Sequence, residues 1–470
     1  PYLLKALSRG IKDEHTDVLL GHLAHIYTVR GLFEKVIDIY RIAVDILPGM
    51  IVFRYRLGDM LFRVGRVEEA IAIFHEVTEK LYQTAEYCSN QRDEPIVHLL
   101  GPHITICRYF GEMAAKLDIY IKAWNLGYFD CGEAILFAPD DEVVNRALCD
   151  YWDRHITVVS DDGKMPVYEE KYRTNWIYLD YFTLPDGRTL HRDIAHRVVQ
   201  KEWEAAGKGP LLVLSQEHRE RGWNVLKERG MPGGAWFVTL HVREAGFFDE
   251  NVSTNHNRHR NARIEDYIPA IEEITGRGGW VIRIGDPSMT PLPEMERVID
   301  YANGDFRRDW MDLFCIAEGR FYLGMPSGPS SVAVNFGVPT LGTNWFPLGP
   351  WPYSEGDIFL HKLFRSKDDG RILSIEDSLK PPFFCSLEPL FFEAQGIEIL
   401  DNTPEEIRGA VLEMFDALDE KAVYSDEEQA AQDRYRVLAD PYRVGLSPRL
   451  ARDFLAAHPE LIGGKAGRRP

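Results

Sequence analysis

The chain is poor in cysteine, and its cysteines are scattered. Its 470 residues include six cysteines, and no two of them form a CxxC pair. Structural zinc sites usually need such closely spaced pairs, so the spacing argues against one. Unpaired, scattered cysteines favour reduced thiols in a cytosol of bacterial type. We therefore expect a cytoplasmic protein.

Long hydrophobic runs and an excess of positive charge are also lacking. No uninterrupted apolar run is long enough to span a bilayer, and the first residues lack the basic-then-apolar order of a signal peptide. The formal net charge of −19 argues against nucleic acid as a partner. With 45% hydrophobic and 27% charged residues, the composition is that of a soluble globular protein of two or three domains.

Several familiar catalytic motifs are missing as well. The chain has no nucleophile elbow GxSxG, no Walker motif GxxxxGK[ST] and no dinucleotide-binding GxGxxG. The histidines have no metal-ligand partners at useful spacing. We therefore predict no metal site and no bound cofactor.

The first 90 residues are predicted to be helical and contain a repeat. Gly31 and Gly65 stand 34 residues apart, and each is followed by a similar amphipathic stretch. This period is that of tetratricopeptide units, and residues 17–82 resemble two of them. The side chains predicted to face inward are Tyr27, Tyr40, Leu61 and Phe74. Such a segment either offers a groove to a partner protein or braces the neighbouring domain, and only two units favour the brace.

Strands and helices alternate over residues 91–228. The predicted strands are 104–107, 134–137 and 155–159, and the predicted helices are 113–126 and 142–152. Between residues 183 and 223, further helical pieces are expected around Leu211 to Leu214. Alternation of this kind indicates a parallel sheet with helices on both faces.

A second α/β domain is predicted for residues 229–420, with a tail at 421–470. Its predicted strands are 237–242, 280–284, 321–323 and 338–341, and its predicted helices are 264–275, 294–302, 309–317, 332–336 and 404–418. A tail helix at 450–461 is expected to fold back across both domains. The predicted fold class is therefore α/β, with two Rossmann-like domains preceded by an all-α segment at residues 1–90. Ligands of such folds bind at the carboxyl ends of the strands.

Residues 320–342 combine a strand, a small-residue turn and a helix start. The turn reads Ser-Gly-Pro-Ser-Ser from Ser327 to Ser331. Backbone N–H groups at such a helix start, together with the helix dipole, can hold a phosphate or another anion. An ordinary turn capped by serine is the alternative. The candidate ligand residues of this turn are Ser327, Gly328, Ser330 and Ser331.

Cationic residues gather near the predicted strand ends. Residues 255–263 read NHNRHRNAR in an otherwise acidic chain, and Arg243 precedes this stretch. Guanidinium groups are natural bidentate partners of phosphate. Arg308 is either a further phosphate ligand or part of an exposed charge pair at the start of a helix. The candidates are His241, Arg243, Arg260, Asn261, Arg283, Asp286 and Arg308.

A family resemblance rests on these motifs. The sequence HVRE at 241–244 resembles the strand-end His-x-Arg of fucosyltransferase-type GT-B enzymes, in which the arginine holds the donor diphosphate. Four further motifs resemble a family of bacterial glycosyltransferases from surface-polysaccharide gene clusters: RNARIEDYIPAI, GGWVIRIGD, IDYANGDFRRDWMDLF and SGPSS. The resemblance implies a GT-B fold with a nucleotide-sugar in the second domain and an acceptor approaching from the first.

The activity expected from these residues is metal-independent glycosyl transfer. A GDP- or UDP-linked hexose or deoxyhexose would pass to a glycan or protein acceptor, while arginines and helix-terminal N–H groups neutralise the leaving diphosphate. A carboxylate would deprotonate the acceptor hydroxyl, with Glu112 the first candidate and Glu244 the second. Two alternatives stay open: a nucleotide-sugar epimerase or hydrolase, and a tetratricopeptide adaptor with a non-catalytic transferase-like half.

Overall fold

A computed structural model describes most of the chain. The described residues are 16–29, 32–100, 105–161, 163–172, 175–245, 258–348, 354–380, 383, 389–441, 443–446 and 448–463. The predictions for Gly31, for Ile104 and for residues 255–257 lie outside them. Within the described residues, no helix has the length and apolar character needed to cross a bilayer.

The N-terminal segment consists of helices that pack consecutively, as predicted. They are α1 (Thr16–Val29), α2 (Phe33–Ile46), α3 (Ile51–Arg63) and α4 (Val67–Gln91). Of the side chains predicted to face inward, Leu61 and Phe74 are buried, whereas Tyr27 and Tyr40 are only partly buried. The repeat therefore forms two helical hairpins with a shared apolar core.

The first α/β domain is built on a four-stranded parallel sheet with the order β3-β2-β1-β4. Its strands are β1 (Val97–Leu100), β2 (Glu133–Phe137), β3 (Thr157–Val159) and β4 (Trp176–Ile177), with an antiparallel hairpin of β5 (Tyr181–Thr183) and β6 (Thr189–His191). Its helices are α5 (Thr105–Arg108), α6 (Phe110–Asn125), α7 (Arg146–Trp152), α8 (Met165–Tyr172), α9 (Arg192–Ala205) and α10 (Gln216–Glu228). The helix predicted around 211–214 is wrong, because these residues connect α9 to α10, which Ser215 caps. The strand predicted at 104–107 is also wrong, because Thr105–Arg108 is helical and the first strand lies earlier. A four-residue apolar run cannot by itself distinguish strand from helix.

The N-terminal helices pack against the antiparallel strand pair of β5 and β6. The Tyr55 ring meets Tyr181 of β5 edge-on, with the ring centroids 6.1 Å apart, and it stacks on Tyr178, just after β4, at 4.8 Å. His75 Nδ1 lies 3.0 Å from the Thr189 hydroxyl. The N-terminal segment therefore covers one side of the first α/β domain.

The second α/β domain has a seven-stranded, fully parallel sheet with the order β15-β12-β11-β10-β7-β8-β9. Its strands are β7 (Phe237–His241), β8 (Trp280–Arg283), β9 (Val298–Asp300), β10 (Tyr322–Gly324), β11 (Thr340–Trp345), β12 (Ile358–His361) and β15 (Arg449–Leu450), beside an antiparallel pair of β13 (Leu363–Ser366) and β14 (Ile397–Leu400). Its helices are α11 (Ile268–Gly276), α12 (Asp309–Ala317), α13 (Gly328–Asn335), α14 (Ile375–Ser378), α15 (Pro389–Ala394), α16 (Pro404–Leu418), α17 (Asp426–Leu438) and α18 (Arg452–Ala457).

Two predictions for this domain are wrong. The helix predicted at 294–302 is instead β9 followed by the turn Tyr301–Asn303. Arg297 has a φ of 61°, which no helix interior tolerates, and the β-branched Val298 and Ile299 favour the strand. The tail helix predicted at 450–461 is shorter, because Arg449 and Leu450 join the sheet before α18 begins.

The tail contacts both α/β domains. Strand β15 extends the second sheet beside β12. Arg197 of α9, in the first domain, donates to the Gly445 carbonyl at 3.1 Å. Two parallel α/β domains that follow an all-α segment confirm the predicted fold class, that of two Rossmann-like domains.

Candidate functional site

A cleft of about 680 Å³ lies between the two α/β domains. The second domain lines it with the loops that follow β7, β8 and β10, and the first domain lines it with the start of α6 and with Arg192 and Asp193 at the start of α9. This is the carboxyl edge of the second sheet, where ligands of doubly wound domains bind.

Two helices from different domains begin in this cleft. Gly111 in the first turn of α6 lies against Gly328 at the start of α13. Before α13, the Ser327 N–H donates to the Ser330 hydroxyl at 3.1 Å, and this hydroxyl donates to the Ser327 carbonyl at 2.7 Å. Ser331 lines the same edge. The positive ends of two helix dipoles therefore meet where an anion would be stabilised.

His241 connects the end of β7 to the serine turn. Its Nδ1 lies 3.1 Å from the Ser327 hydroxyl. Burial, assisted by the charges of Arg243 and Arg283, lowers the pKa of His241 to about 3. The imidazole is therefore neutral at pH 7, and it orients the Ser327 hydroxyl as a hydrogen-bonding group without adding charge.

Two arginines lie close together on the second-domain wall. The Arg243 side chain donates to Asn261 Oδ1 at 3.3 Å, and Arg260 donates to the Pro326 carbonyl at 3.0 Å. Burial and the neighbouring Arg260 charge lower the pKa of Arg243 to about 9. Lys362 fixes the loop beneath them through the Asn261 carbonyl, at 2.7 Å. Like charges held together beside two helix starts provide a strong attraction for an anionic ligand.

Arg283 and Glu244 bind each other. Arg283 is fully buried, does not line the cleft, and donates to Glu244 at 2.9 Å and to Asp300 at 3.1 Å. Glu244 does line the cleft, and it also accepts from the Thr290 N–H at 2.8 Å. Arg283 is therefore kept apart from the other candidates. The Glu244 carboxylate holds the loops after β7 and β8 together.

Asp286 and Arg308 have different positions. Asp286 lines the cleft, and its carboxylate accepts from the Ser288 N–H at 2.9 Å. Arg308 is exposed and does not line the cleft, whereas the preceding Arg307 does. Of the two neighbouring arginines, it is thus Arg307 that faces the cleft.

Glu112 lies in the cleft wall of the first domain and is held by two cations. Arg192 donates to both of its oxygens, at 2.6 and 2.7 Å, and Lys116 lies 2.9 Å away. Burial alone would raise the pKa of Glu112, but Arg192 and Lys116 hold it well below the ordinary value. A carboxylate in this environment is a weak proton acceptor.

Several cleft residues were not among the sequence candidates, and those with charged side chains include Arg192, Asp193, Arg307 and Asp312. Arg192 and Asp193 follow β6 directly, and this strand-end position is the signal that could have found them. Nothing in the local sequence singles out Asp312. Among the described residues, no group of three or more histidines, cysteines or carboxylates is arranged to hold a metal ion.

Known proteins offer only distant comparisons. No family model and no curated protein matches the chain. E. coli ADP-heptose LPS heptosyltransferase II is 12% identical, with a TM-score of 0.41 over 69% of this chain and 99% of that one. A family 9 glycosyl transferase from Veillonella parvula DSM 2008 is 12% identical, with a TM-score of 0.33 over 73% and 95%. The dodecameric iron-containing heptosyltransferase TibC, in complex with ADP-D-beta-D-heptose, is 11% identical, with a TM-score of 0.37 over 69% and 77%. Because each TM-score is below 0.5, these similarities carry no argument about the activity of this chain.

Proposed function

We propose that the protein is a glycosyltransferase that moves a sugar from a nucleoside diphosphate donor to a glycan or protein acceptor. The donor is GDP- or UDP-linked and occupies the second-domain side of the cleft. The acceptor approaches from the first domain. A protein partner at the N-terminal helices is a further expectation, secondary to this one.

The observation that carries the proposal is the meeting of cations and helix starts at the edge of the second sheet. Arg243 and Arg260 lie beside the loop that leads into α13, since Arg260 binds the Pro326 carbonyl. Ser327 and Ser331 line the same edge. A diphosphate has the charge and the acceptor oxygens that such a group of donors stabilises best.

The reaction requires these residues to stabilise the leaving nucleoside diphosphate. As the bond between the anomeric carbon and the donor oxygen breaks, the electron pair leaves with the diphosphate, and the arginines and N–H groups stabilise the charge that develops. Because these groups can supply the neutralisation that a metal ion supplies elsewhere, we expect the reaction to proceed in EDTA. The Glu112–Arg192 pair, by contrast, fixes the starts of α6 and α9 on the acceptor side.

Release of nucleoside diphosphate, followed with GDP-, UDP- and ADP-linked sugars, tests this function. We expect release that depends on an added glycan or protein acceptor and is unaffected by EDTA. Turnover without acceptor would instead support an epimerase or hydrolase. Tight nucleotide binding without any turnover would support a non-catalytic adaptor.

A further inference from the structure

Asp312 occupies a distinctive place in the cleft wall. It lies in the first turn of α12, in the second domain, and lines the cleft. Asn145 of the first domain approaches it, with Nδ2 3.5 Å from the carboxylate. The carboxylate therefore stands where the donor and acceptor domains meet.

The hydrogen-bond partners of Asp312 are neutral. The Tyr301 hydroxyl donates to one oxygen at 2.6 Å, and the Asn145 amide approaches the other. Within the described part of the chain, no lysine, arginine or histidine lies within ion-pair distance of this carboxylate, whereas cations engage Glu112 and Glu244. One oxygen of Asp312 thus keeps capacity for a further hydrogen bond from a ligand.

The surroundings favour proton uptake by this group. Burial, with the nearby Asp309, raises the pKa of Asp312 to about 6, although the Tyr301 hydrogen bond and the Arg307 charge oppose the rise. A carboxylate of this pKa is ionised at neutral pH and still accepts a proton readily.

The charged groups on the neighbouring helices have partners of their own. On α7, Arg146 pairs with Asp140 and Asp150. On α10, Arg219 pairs with Glu318, and Arg221 lies over the Trp310 ring at 4.3 Å. His218 of the same helix packs on Trp310, and its Nδ1 lies 3.0 Å from the Tyr151 hydroxyl. Helix α13, which reads GPSSVAVN, contains no charged residue.

We propose that Asp312 is the general base that removes the proton from the acceptor hydroxyl, an assignment that rests on the proposed transferase function. The acceptor O–H bond breaks and the proton passes to an Asp312 oxygen. The acceptor oxygen then bonds to the anomeric carbon, whose bond to the diphosphate breaks, and its electron pair leaves with the nucleoside diphosphate. The atoms and charges of this step balance with the donor, the acceptor and Asp312 alone.

The decisive variant is Asp312→Asn, with Asp305→Asn as the matched control, because Asp305 is exposed and outside the cleft. General-base removal is expected to lower kcat by roughly 10²- to 10⁴-fold while the affinity for nucleoside diphosphate stays within about twofold. The acidic limb of the wild-type pH profile of kcat, near pH 6, should vanish in this variant. The control Asp305→Asn should keep the wild-type kcat and the acidic limb.

Two milder variants test the same assignment if Asp312→Asn does not fold. Tyr301→Phe and Arg307→Gln each remove an influence that lowers the pKa of Asp312, so the acidic limb should move to higher pH in both. An unmoved limb, or an Asp312→Asn enzyme with weaker donor binding but an unchanged limb and kcat, would overturn the assignment. If the wild-type chain shows no acceptor-dependent release, it is the transferase function itself that fails.

Discussion

Gly111 and Gly328 bring the first turns of two helices from different domains into direct contact. A Cβ placed on Gly328 would lie 2.9 Å from the Gly111 backbone nitrogen, and one placed on Gly111 would lie 2.9 Å from the Gly328 Cα. Real Cβ atoms do not approach backbone atoms this closely, so only glycine permits the contact. The two positive helix ends share the cleft because both residues lack a side chain.

Gly328→Ala should therefore push the domains apart. We expect a loss of about 1–3 kcal/mol in the free energy of unfolding, typical of overpacking, together with weaker nucleotide binding. Chemical denaturation and calorimetric titration measure the two effects. Gly233→Ala is the control, since a Cβ there meets nothing within 4 Å. Equal stability and affinity in both variants would refute the account of this contact.

Arg243→Ala should weaken nucleoside diphosphate binding. The lost charge-assisted bonds are worth about 1.5–3 kcal/mol, or roughly ten- to a hundredfold in dissociation constant. Arg243→Lys should recover little, because an ammonium group cannot make the bidentate contact. Arg263, an exposed arginine of the same region, provides the control variant Arg263→Ala. Unchanged affinity in a folded Arg243→Ala protein would remove Arg243 from the donor site.

Glu112→Gln should destabilise the fold, because Arg192 loses its bidentate partner in a mostly buried setting. We expect a cost of about 3 kcal/mol at pH 7, the lower end for breaking a buried pair. Since the folded-state pKa of Glu112 is depressed, its contribution is present above the ordinary value of 4.5 and is lost as the pH falls towards the folded value. Urea denaturation at pH 7 and at lower pH should show the difference from wild type shrinking.

The Arg66–Glu69 pair supplies a control for this experiment. It is also bidentate, at 2.6 and 2.7 Å, but it is exposed, at the start of α4. Glu69→Gln should leave the free energy of unfolding almost unchanged, because solvent screens an exposed ion pair. A Glu112→Gln cost as small as this would mean that the pair does not hold the two helices.

Removal of residues 1–81 should make the remaining protein insoluble, because the hairpin of β5 and β6 would lose its cover. The milder variant Tyr55→Ala should cost about 2–4 kcal/mol by removing the ring stacked on Tyr178. Tyr87→Ala, at a residue that is 65% exposed, should cost almost nothing. A soluble truncation that modifies a small sugar but not its native acceptor would show that the helices select a partner instead.

Local signals explain which parts of the fold were predictable. The turn at Ser327 and the helix α16 were predicted because their capping residues lie within a few positions of each other in the chain. β9 was mistaken for a helix, because the positive φ of Arg297 has no sequence signal. Short apolar runs such as 104–107 leave strand and helix undecided.

Residues of the candidate site were predictable only where the signal lies in neighbouring positions of the chain. The residues at strand ends, such as His241 and Arg243, reached the cleft because the sheet topology places them there. Arg192 and Glu112 are 80 positions apart in the chain, and only tertiary packing brings them together. The burial of Arg283 against Glu244 and Asp300 likewise depends on the ends of β8 and β9 and on the loop after β7. Side-chain pairing of this kind has no periodic pattern in a single sequence.

Nucleoside diphosphate binding to the wild-type protein in EDTA tests the central claim most directly. A ligand present at a hundred times its dissociation constant adds about 2.7 kcal/mol to the free energy of unfolding, so GDP or UDP should raise the melting temperature measurably. We predict this stabilisation without added metal, and its loss in Arg243→Ala. A melting temperature unmoved by GDP, UDP and ADP at millimolar concentration would contradict a nucleotide-sugar site in this cleft.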